Sequence, residues 1–189
     1  MQSVYTNIVG VSWVVLLLVW APGYFTSKRT ARVPNLALQI PTSALLVVCF
    51  VLLFNPRLWG LGRSVTPHTA AFGLTGLALD LAGVAFAICA RVMLGRNWSG
   101  MVMTVKEDHQ LVQSGPYAIV RHPIYTGLAS AILGTALTVG TLASYIGVAA
   151  GLTALLVRIH VEEKLMADQF GEAHAAYRRR TKKLIPFIW

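Results

Sequence analysis

The sequence predicts an all-α integral membrane protein in which five transmembrane helices make up a single domain over residues 1–189. Three observations predict it. First, 56% of the 189 residues are hydrophobic and only 12% are charged, against roughly 25% charged in a soluble domain; the mean hydropathy is +0.62. Second, the apolar residues fall into runs of about 20, the length a helix needs to cross a hydrocarbon core of roughly 30 Å. Third, Lys and Arg crowd onto alternate connections between those runs. The same composition excludes disorder, because so apolar a chain has ample surface to bury.

Residues 4–24 form the first span. Their amino end carries no Lys or Arg and the apolar run outlasts a signal peptide's core, which argues for a retained span over a cleaved leader. The string PNLALQIPTSALLVVCFVLLFNP, residues 34–56, forms the second, entered at Pro34 and left at Pro56, with a kink expected at Pro41. Residues 69–94 form the third. Residues 124–158 are too long for one span and carry a Gly140-Thr141 break, so they are expected as a hairpin of spans 124–140 and 142–158.

The charges orient these spans. Lys28, Arg29 and Arg32 follow span one, whereas only Arg57 and Arg63 lie between spans two and three. The first loop is therefore expected in the cytoplasm and the amino terminus outside, with fourteen basic residues inside and two outside. This topology also accounts for the net charge of +9, so no nucleic-acid partner is expected. Cys49 and Cys89 each lie inside an apolar run and read as small packing residues. His68, His109, His160 and His174 lack metal-ligand spacing, and no metal site is expected.

Polar residues concentrate in 95–123 and 159–189. In TVKEDHQLVQSGPYAIVRHPIYTG, residues 104–127, Arg121-His122-Pro123 leads straight into span four. Proline suits a helix start, and the backbone NH groups there favour an anion. A basic interfacial anchor, with Tyr117 and Tyr125 as an aromatic belt, stands as an equal reading. In RIHVEE, Arg158 and Glu162 share a helical face while Glu163 is rotated by roughly 100°. Glu162 is expected to pair with Arg158, leaving Glu163 free. Alone, this reads most simply as an intrahelical ion pair, but the hairpin brings Glu163 and His122 to the same side of the membrane. Asp80, in the middle of span three, reads equally as a functional acid or as a hydrogen-bonding link between helices. Gly147 and Gly151 present a small face for close helix packing. Residues 164–180 are expected as an amphipathic helix on the inner leaflet, with Leu165, Phe170 and Tyr177 near its apolar side.

The combination GPYAIVRHPIYTG, Arg158-Ile-His-Val-Glu162-Glu163, Phe170-Gly171 with Tyr177, and the closing LIPFIW resembles the isoprenylcysteine carboxyl methyltransferase family and its phospholipid methyltransferase relatives. The resemblance covers residues 98–189, about half the chain; spans one to three resemble the family only in number and length. It implies a membrane methyltransferase that uses S-adenosylmethionine and releases S-adenosylhomocysteine. It also implies a cytoplasmic cofactor site made by the loop before span four, the span four/five hairpin and the carboxyl-terminal helix. His122 would suit an anion, Glu163 an ammonium or ribose hydroxyls, and Val105, Leu111, Val112, Tyr117 and Tyr125 would wall the adenine, with Pro123 and Gly127 completing the set. Arg158 and Glu162 would be the catalytic pair, Arg158 orienting an acceptor carboxylate through its guanidinium fork.

The favoured acceptor is a lipophilic carboxylate, isoprenyl or acyl, entering from the bilayer among membrane lipids. Gly127, Ala131, Gly134 and Ala136, with Gly147 and Gly151, are places where a gap between spans could form, and they could equally serve tight helix packing, the commoner use. Methylation of a phospholipid amine is the alternative enzyme reading; a non-enzymatic membrane scaffold or binding protein is the alternative from another class. Distant membrane reductases share the hairpin architecture, so a nicotinamide cofactor is a minor reading.

Overall fold

Five long helices carry the chain: α1 (Gln2–Thr26), α2 (Leu36–Phe54), α3 (Ala70–Leu94), α4 (Pro123–Val139) and α5 (Leu142–Arg180). The computed structural model describes residues 2–26, 30–32, 36–55, 57–98, 105–106 and 110–189. Lys28, Arg29, Pro34, Pro56 and His109 lie outside the described residues. Of the five helices, α1, α2, α3 and α5 are long and apolar enough to cross a membrane, while α4 is an apolar helix of 17 residues. The protein is a multi-pass integral membrane protein. The departure from an all-helical reading is a short antiparallel pair, β1 (Thr30–Arg32) with β2 (Val105–Lys106), which joins the connection after α1 to the polar segment before α4.

Helix ends follow local chemistry. Thr69 caps α3, its hydroxyl accepting from the Phe72 NH. Gly140 ends α4 in the left-handed conformation at φ 72°, which glycine adopts without a Cβ clash. Thr141 and Ser144 then exchange side-chain-to-backbone hydrogen bonds that start α5. α2 runs unbroken through Pro41, which falls in its second turn.

α5 departs most from expectation. The helix expected to end at 158 runs on to Phe170, and after a non-helical kink at Gly171 a second helical stretch continues to Arg180. At 1.5 Å per residue the helix before the kink alone is about 44 Å long, roughly one and a half times a hydrocarbon core, so the distal part of α5 projects beyond the membrane. Gly171, at φ 48° and ψ −119°, bends that part.

Packing is closest between α3 and α4. A Cβ on Gly83 would lie 2.5 Å from the Gly127 carbonyl, and one on Gly134 would lie 2.5 Å from the Gly76 carbonyl. Gly127, Ala131 and Gly134 of α4 are thus spent on this contact, the tight packing that is one of their two readings. Gly147 and Gly151 pack on Cys49 of α2, the role expected of them. Asp80 is fully buried and ties three helices together: Ser12 of α1 lies 2.5 Å from Oδ2, Thr135 of α4 donates to Oδ1 at 3.0 Å, and Trp13 Nε1 donates to Thr135. Asp80 is thus the link between helices that one of its two readings described.

Candidate functional site

Glu162 and Glu163 sit where α5 leaves the apolar core, and His122 caps α4 at the same level. The hairpin brings them together. His122 Nε2 is 2.9 Å from Glu163 Oε1, and its Nδ1 is 3.5 Å from Glu162 Oε2. Arg121 forks onto Glu163, with Nε to Oε1 at 2.8 Å and a second bond to Oε2 at 3.2 Å. Tyr125 donates to Glu162 Oε1 at 2.5 Å. Glu163 is therefore the most heavily paired carboxylate of the two, with Arg178 at 3.6 Å as well, and the expectation that it stands free is corrected. The cause is that Arg121, two residues before Pro123, projects back across the hairpin. Arg158, expected to pair with Glu162, is buried and donates to Ser43 of α2 at 3.1 Å.

These contacts set the charges. Burial alone would raise Glu163, but hydrogen bonds from His122 and Arg121 bring it down to about 2. Burial opposes charge on His122, and the two carboxylates outweigh it, so its pKa lies above the ordinary imidazole value. Burial, with Glu162 and Tyr177 nearby, keeps the Tyr117 phenol protonated well above its usual range. Burial likewise pushes Tyr177 up to about 12 and lowers His174.

The carboxyl-terminal tail holds the loop that carries Arg121 and His122. The NH groups of Arg121 and His122 donate to the carbonyls of Lys182 (2.9 Å) and Lys183 (3.2 Å). Tyr177 donates to the Tyr117 carbonyl at 2.6 Å, so the segment beyond Gly171 closes onto the same loop.

A cavity runs from this network into the core between α2, α4 and α5. Of the residues singled out in the sequence, Leu111, Val112, Tyr117, His122, Pro123, Tyr125, Arg158, Glu162 and Glu163 line it. Gly127 is not among the lining residues, because it takes the close approach of α3. Val105 is described only in its backbone, paired with Arg32. Sequence reasoning missed Trp20 and Leu46, brought in from α1 and α2, and Asn97 and Trp98, which follow α3 directly. It also missed His174 as a wall. Of these, only Asn97-Trp98 carries a local signal, a polar break at the end of an apolar run. Trp20 Nε1 and Asn97 Oδ1 are buried without a hydrogen-bond partner among the described residues, an arrangement that a polar ligand in the cavity would satisfy. Among the described residues, no group of three or more His, Cys, Asp or Glu is placed to hold a metal ion.

Comparison with known proteins falls on the same region. The family model described as isoprenylcysteine carboxyl methyltransferase matches residues 76–168. The cobalt-zinc-cadmium resistance protein CzcN of Cupriavidus metallidurans is 32% identical over 145 residues, 74% of this chain and 60% of that protein. The protein-S-isoprenylcysteine O-methyltransferase of Schizosaccharomyces pombe is 35% identical over 101 residues, 52% of this chain and 43% of that protein. The solved structure of the eukaryotic intramembrane Ras methyltransferase, an isoprenylcysteine carboxyl methyltransferase, aligns with a TM-score of 0.54 at 25% identity, covering 84% of this chain and 55% of that one. The chain thus spans about half the length of the relatives it matches. The motif residues gathered on one cavity fall largely inside residues 76–168, the part of the chain that matches the isoprenylcysteine carboxyl methyltransferase family model.

Proposed function

We propose that the protein is an S-adenosylmethionine-dependent membrane methyltransferase that O-methylates the carboxylate of an isoprenyl- or acyl-type acceptor. One observation carries the reading: a single cavity is lined both by the charged network and by a buried arginine, Arg158, with apolar residues completing its walls. Part of this lining suits the donor. Tyr117, Leu111 and Val112 offer an apolar wall for an adenine, and Trp20 Nε1 and Asn97 Oδ1, without a hydrogen-bond partner among the described residues, suit hydroxyl or amino groups. When bound, S-adenosylmethionine supplies an electrophilic methyl group on a sulfonium.

The chain's own part follows from the acceptor chemistry. A carboxylate is already ionised, so no general base is required, and the work is alignment and exclusion of water. Arg158 presents a fork that fits a carboxylate. Leu46, Leu128 and Leu155 line the cavity near it and suit a hydrocarbon chain arriving through the bilayer. His122, Arg121 and Glu163 hold the loop and α5 in register as a charge-neutralising clamp, and Tyr125 fixes Glu162. α4 completes a fifth crossing, which puts this end of the molecule in the cytoplasm by the distribution of Lys and Arg.

The test is transfer of labelled methyl from S-adenosylmethionine by the purified protein across prenylcysteines, fatty acids and amino phospholipids. Base-labile ester formed on a prenylated or long-chain carboxylate is the expected result. Label found only on phospholipid nitrogen would replace the reading with amine methylation.

A further inference from the structure

The last turn of α5 and the tail behind it enclose a second cleft, on the outer side of Arg121 from the cavity. Arg178, Arg179, Arg180, Lys182 and Lys183 border it, with Ile188 and Trp189. These five cations occupy six consecutive positions, and little neutralises them. Glu172 pairs with Arg179 at 2.9 Å, but both side chains are more than half exposed, where such a pair contributes little. Glu163 is 3.6 Å from Arg178 but already takes Arg121 and His122. Among the described residues, no carboxylate lies within ion-pair distance of Lys182 or Lys183. A cleft of this kind attracts a polyvalent anion.

Three further observations identify the anion. Thr126, in the first turn of α4, donates to the Leu184 carbonyl at 2.6 Å, so the tail sits at the level where α4 enters the apolar core. Beside the cations, Phe187 and Ile188 are 84% and 75% exposed, and Trp189 is exposed as well. Phe187 has φ 66°, a conformation unfavourable for a bulky side chain, in a turn that holds its ring outward. Cations for phosphate next to outward apolar and aromatic side chains match the headgroup layer of a bilayer and its acyl boundary.

We propose that this cleft binds the phosphate-bearing headgroup of an anionic phospholipid, and that the bound lipid fixes the tail against the loop carrying Arg121 and His122. The coupling is built into the backbone. The carbonyls of Thr181, Lys182, Lys183 and Leu184 accept hydrogen bonds from the Arg121 guanidinium, the Arg121 NH, the His122 NH and the Thr126 hydroxyl. Each residue that offers a cation to the headgroup is thus within three residues of a backbone contact to the clamp. The proposal goes beyond methyl transfer and its readout does not depend on it.

The test uses purified full-length protein in a neutral detergent, titrated with dioctanoyl phosphatidylglycerol, dioctanoyl phosphatidylcholine or inorganic phosphate, with thermal midpoint and native mass spectrometry as readouts. Phosphatidylglycerol is expected to bind and raise the midpoint, and phosphatidylcholine to do neither. The Lys182→Met/Lys183→Met double variant keeps the aliphatic stems and the backbone bonds. It should weaken phosphatidylglycerol binding at least tenfold while the lipid-free midpoint stays within a few degrees. If that variant does not fold, Arg179→Gln, with Phe187→Ser added, carries the same expectation. Equal binding of both lipids, undiminished binding by the folded variants, or full reproduction of the shift by inorganic phosphate would each overturn the proposal, the last by making the cleft a site for soluble anions.

Discussion

Arg121 and Glu163, 42 residues apart in the chain, meet in a two-pronged ion pair of 2.8 and 3.2 Å at the mouth of the cavity. The pair joins the loop before α4 to the projecting half of α5. Both side chains are nearly buried, at 8% and 12% exposure, so neither has water to fall back on if the other is lost.

Replacing Glu163 by Gln keeps the shape and removes the charge that Arg121 and His122 share. Breaking a buried pair at one partner costs about 3 kcal/mol or more, and the unfolding midpoint in detergent should fall accordingly. An unchanged midpoint would mean that the pair does not hold the hairpin together.

The same cluster predicts how stability responds to pH. Glu163 is depressed from 4.5 to about 2, so its contribution is complete above pH 4.5 and is lost as pH falls toward 2. His122 is raised from 6.5, so its contribution is complete below pH 6.5 and is lost as pH climbs through the raised value. Unfolding midpoints should therefore decline on both sides of the interval 4.5 to 6.5, and His122→Gln should flatten the alkaline side and also shrink the acid one, because His122 helps hold Glu163 down. An alkaline decline of the same size in that variant would assign it to another group.

Much of the helical framework is legible in the sequence because its signals are local. Apolar runs, the start at 69 and the Gly140-Thr141 break mark ends that coincide with the observed ones to within a residue or two, save the far end of α5, which runs well past 158. The gathering of His122, Tyr125, Glu162 and Glu163 is legible because a hairpin demands it. The contact between Arg121 and Glu163 is not, since nothing at position 121 distinguishes an interfacial anchor from a buried partner. Nor is the wall supplied by Trp20 and Leu46, which depends on how α1 and α2 pack. The bend at Gly171 returns His174 and Tyr177 to the loop, whereas periodicity alone lays residues 164–180 flat on the membrane.

Close approach of α3 and α4 makes their glycines unequal to others. Gly134→Ala would force its Cβ into the backbone of α3, and overpacking of this kind typically costs about 1–3 kcal/mol. Gly10→Ala, with nothing within 4 Å, should leave stability unchanged or slightly higher. Comparison of the two midpoints checks it; equal effects would contradict the contact.

Under the proposed function, Arg158 belongs to the acceptor side and not to the donor side. Arg158→Gln should lower the rate of methyl transfer at saturating donor by a factor of about 100, as loss of a hydrogen-bonded charge worth roughly 1.5–3 kcal/mol allows, while affinity for S-adenosylhomocysteine changes less than threefold. A parallel loss of both would make Arg158 part of the donor site.

The most direct measurement is calorimetric titration of the purified protein with S-adenosylhomocysteine. The wild type should bind one equivalent, and His122→Ala should bind at least tenfold more weakly, because that substitution removes the charge between Glu162 and Glu163 and lets the loop before α4 move. Absence of binding to the folded wild type, or undiminished binding by folded His122→Ala, would contradict the assignment of this cavity to the methyl donor.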